Sequence, residues 1–245
     1  MHRLIPGDAL DDALTPYLDV ERPPRPDRPW VLANMVAGID GSTAVGGRVG
    51  ELSSPTDRQL FLDLRSVADI VLVGAETARR ERYGPVRLDE RRRDHRQRQG
   101  RPPLPRLALV SRSLELDDAS RALTGDPDNP GMVVTCTASP TDRRAGLADG
   151  VETVLAGGEQ VEPDLALAQL RAQGVEVVLC EGGPALLGAL LTAGTVDELC
   201  ITLAPVIGGD PLPLAVLPAA TTPRRARLAH VLEADDQLFL RYELS

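Results

Sequence analysis

Hydrophobic positions along the chain fall into short apolar runs alternating with segments of helical period. Trp30-Val-Leu-Ala-Asn-Met-Val36 is mostly apolar, the pattern of a strand buried on both faces. Asp40-Gly41 marks a turn. Ser54-Pro55-Thr56-Asp57 carries helix-start chemistry: a capping serine, a proline at the first helical position and an acid in the first turn. Leu60, Phe61, Leu64, Val67 and Ala68 follow at helical spacing, which predicts an amphipathic helix over 55–68. Residues 69–73 read as a strand and Gly74 to Glu81 as the start of a helix. Short strands are expected at 107–110, 132–136 and 151–155, then a helix from Pro163 with Leu165, Leu167, Ala168 and Leu170 facing the core. A strand at 175–180, a helix at 184–191 and a strand at 199–205 complete the alternation. The last segments, 227–232 and 237–244, read as a hairpin turning at Ala234-Asp235-Asp236. This order predicts an α/β fold: a central, mostly parallel sheet, helices on both faces and a C-terminal antiparallel hairpin.

Two segments fall outside this pattern. Residues 1–28 read as an extension, with a short helix over Asp8–Val20 packing on the body. Pro23, Pro24, Pro26 and Pro29 then make a stiff extended linker. Gly84 to Pro105 is polar and carries Arg91, Arg92, Arg93, Arg96, Arg98 and Arg101. It is expected as a solvated loop, with a lid for phosphorylated ligands as the alternative.

Composition narrows the chemistry. The 27 basic residues of this 245-residue chain are all Arg. Absence of Lys excludes a P-loop NTPase and Schiff-base catalysis. A net charge of −9 and six aromatic residues argue against nucleic-acid partners. Cys136, Cys180 and Cys200 lie far apart inside apolar runs, so free buried thiols are expected and no metal site. No stretch has the length of a membrane span and the N-terminus has no apolar signal region, so a cytoplasmic protein is expected.

Three strand ends run straight into glycine: Val73-Gly74-Ala75-Glu76-Thr77, Ala156-Gly157-Gly158 and Glu181-Gly182-Gly183-Pro184-Ala185-Leu186. Glycine there lets backbone approach a ligand, and a following helix N-terminus favours an anion. Ligands of open α/β sheets sit off the carboxyl ends of strands. Gly74, Gly157, Gly182 and Gly183 are therefore candidate dinucleotide contacts; the competing reading is tight turns alone. Ser111-Arg112-Ser113 follows another strand and suits a 2′-phosphate, which favours NADPH over NADH. Asp40 and Glu181 are carboxylates at strand ends, able to orient a hydroxyl or deliver a proton. Turn or cap duty is the plainer reading of each, as a surface position is for Arg65.

Ala37-Gly-Ile-Asp-Gly41, Ser53-Ser-Pro55, Leu64-Arg-Ser66, Asp69-Ile-Val-Leu-Val-Gly-Ala-Glu-Thr77, Cys180-Glu-Gly-Gly-Pro-Ala-Leu186 and Val196-Asp-Glu-Leu199 occur in the order seen in the riboflavin-biosynthesis pyrimidine reductases. The chain resembles the C-terminal domain of the bifunctional riboflavin deaminase-reductase over roughly residues 29–244. That implies a three-layer dihydrofolate reductase-like fold and a single reductase domain over 29–245, in a homodimer. It also implies NADPH-dependent reduction of the ribosyl chain of a phosphorylated aminopyrimidine to ribityl, as by a 5-amino-6-(5-phosphoribosylamino)uracil reductase. Thr77, Glu81 and the backbone near Val36 would then contact the cofactor. Gly183, Pro184, Ala185, Leu186 and Leu187 would hold its pyrophosphate and nicotinamide half, with Ser111 on the adenosine side. Arg65 and Glu181 match substrate positions, Arg65 near the phosphate and Arg87 in reserve for it. Ser42 stands where the family has a basic residue, and Glu51-Leu52 where the bifunctional enzymes have Trp-Ile. These departures keep two alternatives open: a dihydrofolate or other pteridine reductase, and a non-catalytic NADP-binding regulator.

Overall fold

The apolar runs of the sequence lie side by side as strands of one sheet. The computed structural model describes residues 2–5, 7–9, 15–210, 212–219 and 222–244. In chain order its elements are β1 (His2–Ile5), β2 (Gly7–Ala9), α1 (Thr15–Leu18), β3 (Trp30–Gly38), α2 (Pro55–Val67), β4 (Ile70–Gly74), α3 (Ala75–Arg80), α4 (Glu90–Arg98), β5 (Arg106–Val110) and α5 (Ser120–Thr124). They continue with β6 (Met132–Thr135), α6 (Thr141–Ala145), β7 (Glu152–Leu155), α7 (Pro163–Ala172), β8 (Val177–Cys180), α8 (Pro184–Thr192), β9 (Glu198–Ala204), β10 (Ala226–Ala234) and β11 (Gln237–Leu244). The strand order is β2-β1-β10-β11-β9-β3-β8-β4-β5-β6-β7. From β9 to β7 every pairing is parallel; from β11 to β2 every pairing is antiparallel. The α/β expectation holds, and the hairpin turns at Asp235 and Asp236, both at positive φ. That conformation matches a two-residue hairpin turn, where Asp is tolerated.

Alternation along each strand divides the core in two. Leu32, Val71, Leu109 and Leu179 meet Leu60 and Leu64 of α2 and Leu123 of α5 on one face. Val31, Ile70, Ala108 and Val178 meet Leu167 and Leu170 of α7 and Leu187 and Leu190 of α8 on the other. This is the helix–sheet–helix layering that successive side chains on opposite faces dictate. All three cysteines are free and buried, as expected. Among the described residues no helix is long and apolar enough to cross a membrane.

The arginine-rich segment is not the expected loop. Residues 90–98 form α4, capped by Asp89 Oδ1, which accepts from Arg92 N at 3.0 Å. Arg92 and Arg96 are buried. Arg92 Nε donates to Asp63 Oδ1 at 2.6 Å, and its Nη2 donates to Gln59. Arg96 donates to the carbonyls of Ser66, Ala68 and Pro102, and Arg101 to that of Val67. The last carbonyls of a helix have no intrahelical donor, and these guanidinium groups satisfy the end of α2. Composition registers the charge of such a run but not its partners.

The N-terminal segment is likewise fastened to the body. Of the helix expected over 8–20 the described residues show Thr15–Leu18; Asp8 lies in β2, and residues 10–14 lie outside the described residues. Tyr17 is buried edge-on against His230. The extended stretch after it delivers Arg22 Nε and Nη2 to Glu198, each at 2.8 Å. Arg241 Nε reaches the same carboxylate at 2.9 Å. Arg25 and Arg28 bind Asp197. Burial pushes the Glu198 carboxyl up, but Arg22 and Arg241 outweigh it and hold it below the usual range.

Removing one partner of a buried pair leaves an uncompensated charge, so Arg22→Ala is expected to cost about 3–5 kcal/mol in urea unfolding. Arg112→Ala, at an exposed position, should change stability by about 0.5 kcal/mol or less. Because the folded Glu198 value lies below the unfolded one, its contribution is complete above about pH 4.3 and fades as pH falls through the folded value. Unfolding midpoints measured on acidification check this sign.

Candidate active site

Two hollows open at the carboxyl ends of the central strands, where an α/β sheet places its ligands. The larger, of about 640 Å³, is lined by β3, α2, the α3 end and the start of α8. The smaller, of about 490 Å³, lies between the ends of β4 and β5 and helices α7 and α8. A backbone ridge separates them. Gly74 N donates to Gly182 O at 2.8 Å, and Glu181 N donates to Leu72 O at 3.0 Å. A Cβ on Gly74 would lie 3.6 Å from Gly183 N. Gly182 sits at φ +88°, in the left-handed region that favours glycine. Gly183 caps α8, and Pro184 takes its first position. The amides of Ala185 and Leu186, unpaired as in any first helical turn, have no backbone partner among the described residues. Both residues line the smaller hollow.

The floor of the larger cavity is a salt bridge. Arg65, in the last turn of α2, places Nε 2.7 Å from Glu181 Oε1 and Nη2 2.8 Å from Oε2. Tyr83 Oη donates to Oε2 at 3.0 Å. The guanidinium carbon stands 4.1 Å from the centre of the Phe61 ring and 5.7 Å from that of Tyr83. Two of the chain's six aromatic rings therefore flank one cation, and cation–π attraction strengthens with desolvation. Burial alone would lower the Arg65 value, but Glu181 reverses this and holds it raised. Burial, then the neighbouring Glu181, pushes the Tyr83 hydroxyl well above its ordinary value, so it stays a donor.

Tyr83 is aimed by the end of α3. Its N–H donates to Ala78 O and that of Arg82 to Arg79 O, the paired bonds of a Schellman cap. Arg82 takes the left-handed position usually held by glycine, at φ 54°.

The sequence-derived residues separate by place. Val36, Arg65, Thr77, Glu81, Arg87, Glu181, Gly183 and Pro184 line the larger cavity. Gly74, Ser111, Arg112, Ala185 and Leu186 line the smaller. Ser111 Oγ accepts from Leu114 N at 2.9 Å, and Arg112 Nε donates to Glu159 O at 2.7 Å. Leu187 is packed in the core, and Gly182 lies in the ridge below the cavity. Gly157 lines neither hollow: a Cβ there would meet Gln160 O at 2.2 Å, so the turn into α7 accounts for it. Asp40 also lies outside. It is exposed, and its carboxylate accepts from Ser42 N, Ser42 Oγ and Gly209 N. Those bonds, Gly209 first, hold its value lowered, the reverse of what a proton donor needs. Tyr83, Phe61 and Arg58 are among the cavity residues that sequence reasoning missed. Arg-Tyr-Gly-Pro at 82–85 was the one available signal for Tyr83, since a polar aromatic in a turn is rare in so aromatic-poor a chain.

A Cβ on Gly183 would lie 2.2 Å from Thr77 Oγ1, so a side chain there meets protein before ligand. Gly183→Ala is expected to lower thermal stability, and Gly183→Ala/Thr77→Ala to recover most of the loss. Melting curves of the two variants check this; equal melting points would show that the contact is absent.

The chain matches the RibD C-terminal domain family over residues 29–240. It is 29% identical over 182 residues to the 2,5-diamino-6-ribosylamino-4(3H)-pyrimidinone 5′-phosphate reductase of Methanothermobacter thermautotrophicus, covering 74% of this chain and 80% of that one. The Archaeoglobus fulgidus protein of the same name is 27% identical over 188 residues, covering 76% and 85%. A solved pyrimidine reductase-like protein of Corynebacterium diphtheriae superposes with a TM-score of 0.80 at 32% identity, covering 89% of this chain and 93% of that one. The ordered motifs, the α/β architecture and these matches agree: the chain belongs to the RibD C-terminal reductase domain family of riboflavin-biosynthesis pyrimidine reductases.

Proposed function

We propose that the protein is an NADPH-dependent reductase of a phosphorylated ribosylaminopyrimidine, converting its ribosyl chain to ribityl. The observation that carries this reading is the pair of hollows meeting at the Gly74–Gly183 ridge, with the Arg65–Glu181 pair on the floor of the larger. A dinucleotide fits this shape. The unpaired Ala185 and Leu186 amides suit its pyrophosphate, and Ser111, Arg112 and Ser113 border the hollow for its adenosine end. Val36, Thr77 and Glu81 are left for the nicotinamide half. When bound, the reduced nicotinamide supplies the hydride. The names of the curated relatives support a pyrimidinone ribosyl phosphate as substrate class.

The phosphate site moves from the position first expected for it. Arg65 is engaged with Glu181, and Arg80 pairs with Glu76. Arg58 and Arg87 line the same cavity and have no ion pair among the described residues. They can meet a phosphate without breaking a buried pair, and the guanidinium fork matches its oxygens. Arg65 instead holds Glu181 where a substrate hydroxyl or ring N–H can reach it.

The test is loss of NADPH absorbance with the phosphorylated ribosylaminopyrimidine, with dihydrofolate and with neither. Turnover with the first alone is expected; turnover with dihydrofolate alone would replace the reading. Arg58→Ala and Arg87→Ala should each raise KM for the phosphorylated substrate about tenfold, the effect of about 1.5 kcal/mol, with KM for NADPH unchanged. The difference from wild type should vanish on the dephosphorylated substrate. Arg65→Ala should lower kcat and also cost about 3 kcal/mol of stability, because it strands Glu181.

A further inference from the structure

We propose that Tyr83 is a positioning residue for the reductase site, through which one oxygen of Glu181 is closed and the other left to face the substrate. The inference rests on the reading of the larger cavity as the substrate site. A carboxylate offers about four acceptor positions on its two oxygens. Arg65 Nε occupies one on Oε1; Arg65 Nη2 and Tyr83 Oη occupy two on Oε2. Among the described residues no other group donates to this carboxylate, so one position remains, on Oε1. A substrate hydroxyl or ring N–H meeting Glu181 therefore finds a single acceptor in a single direction.

Both ends of the contact are fixed by backbone. Glu181 is tied to β4 through its own N–H, and Tyr83 to α3 through Ala78 O. Neither needs the substrate to reach its place. Arg65 from α2, Tyr83 from the end of α3 and Cys180 from β8 interact with the carboxylate, and Asp57, Arg58, Arg80, Glu81 and Arg87 are the other charged groups lining the cavity. Of these, Arg65 and Tyr83 hydrogen-bond it. The Tyr83 ring also borders the Arg65 guanidinium, so the hydroxyl must be removed without the ring.

Tyr83→Phe does that. The variant is expected to stay folded with its melting point lowered by about 3–6 °C, to bind NADPH with unchanged KM, and to lose about tenfold in kcat. A double-mutant cycle separates positioning from packing. In a Glu181→Gln background, Tyr83→Phe should cause no further loss of kcat, since the amide oxygen takes the place of Oε2 between Arg65 Nη2 and Tyr83 and an NH2 group stands where the substrate's acceptor was. Wild-type kcat in Tyr83→Phe, or a full additional loss on top of Glu181→Gln, would overturn the proposal. Wild-type kcat in Glu181→Gln alone would instead overturn the reading of the site on which it rests.

Discussion

Glu181 has little contact with solvent, and a buried carboxylate must be paired. The strand end that holds it also carries the Gly-Gly turn into α8, so its position is set by the sheet. Its partner comes from α2, on the opposite side of the cavity, and that partner is itself enclosed by two aromatic rings. The pair thus joins a helix to the strand end across the cavity floor. Losing either member would strand a charge in a place where solvation cannot replace it.

The rest of the molecule keeps these two ends in register. Parallel pairing of β3, β8 and β4 brings three glycine-bearing strand ends to one edge of the sheet. The far end of α2 is satisfied by Arg96 of α4 and by Arg101 just beyond it, which holds the last turn of the helix, and Arg65 with it, in one place. On the other side, the Arg22–Glu198–Arg241 cluster fastens the N-terminal strap to β9, the strand that flanks β3. A chain with only six aromatic residues relies on these guanidinium contacts in places where larger side chains commonly fill space.

Much of this was legible in the sequence, because hydrophobic period and glycine placement are local signals. The order of β3 to β11 with α2, α3, α7 and α8, the capping at Ser54 and the turn at 234–236 follow from residues near in sequence, whereas β1, β2 and α4 to α6 were not expected. What stayed hidden depended on partners far apart along the chain. The 90–98 run shows its charge openly, but its role depends on Asp63 and the α2 carbonyls, so it read as a loop. The carboxylate that Arg65 pairs with lies 116 residues away, so that contact was not visible along the chain. For Asp40 and Gly157, which line neither hollow, a turn and a ligand cradle demand the same residue types, so the sequence could not separate the two. Tyr83 was missed because its direction is set by a helix cap with arginine in the glycine position.

In the proposed function the two hollows bring a nicotinamide and a ribosyl carbon together over the Arg65–Glu181 floor. The most direct measurement uses NADPH deuterated at the nicotinamide C4 with the phosphorylated ribosylaminopyrimidine, followed by NMR of the product. One deuterium at C1′ of a ribityl chain is the expected result. Deuterium on the pyrimidine ring, or NADPH oxidised with no label in the product, would contradict it.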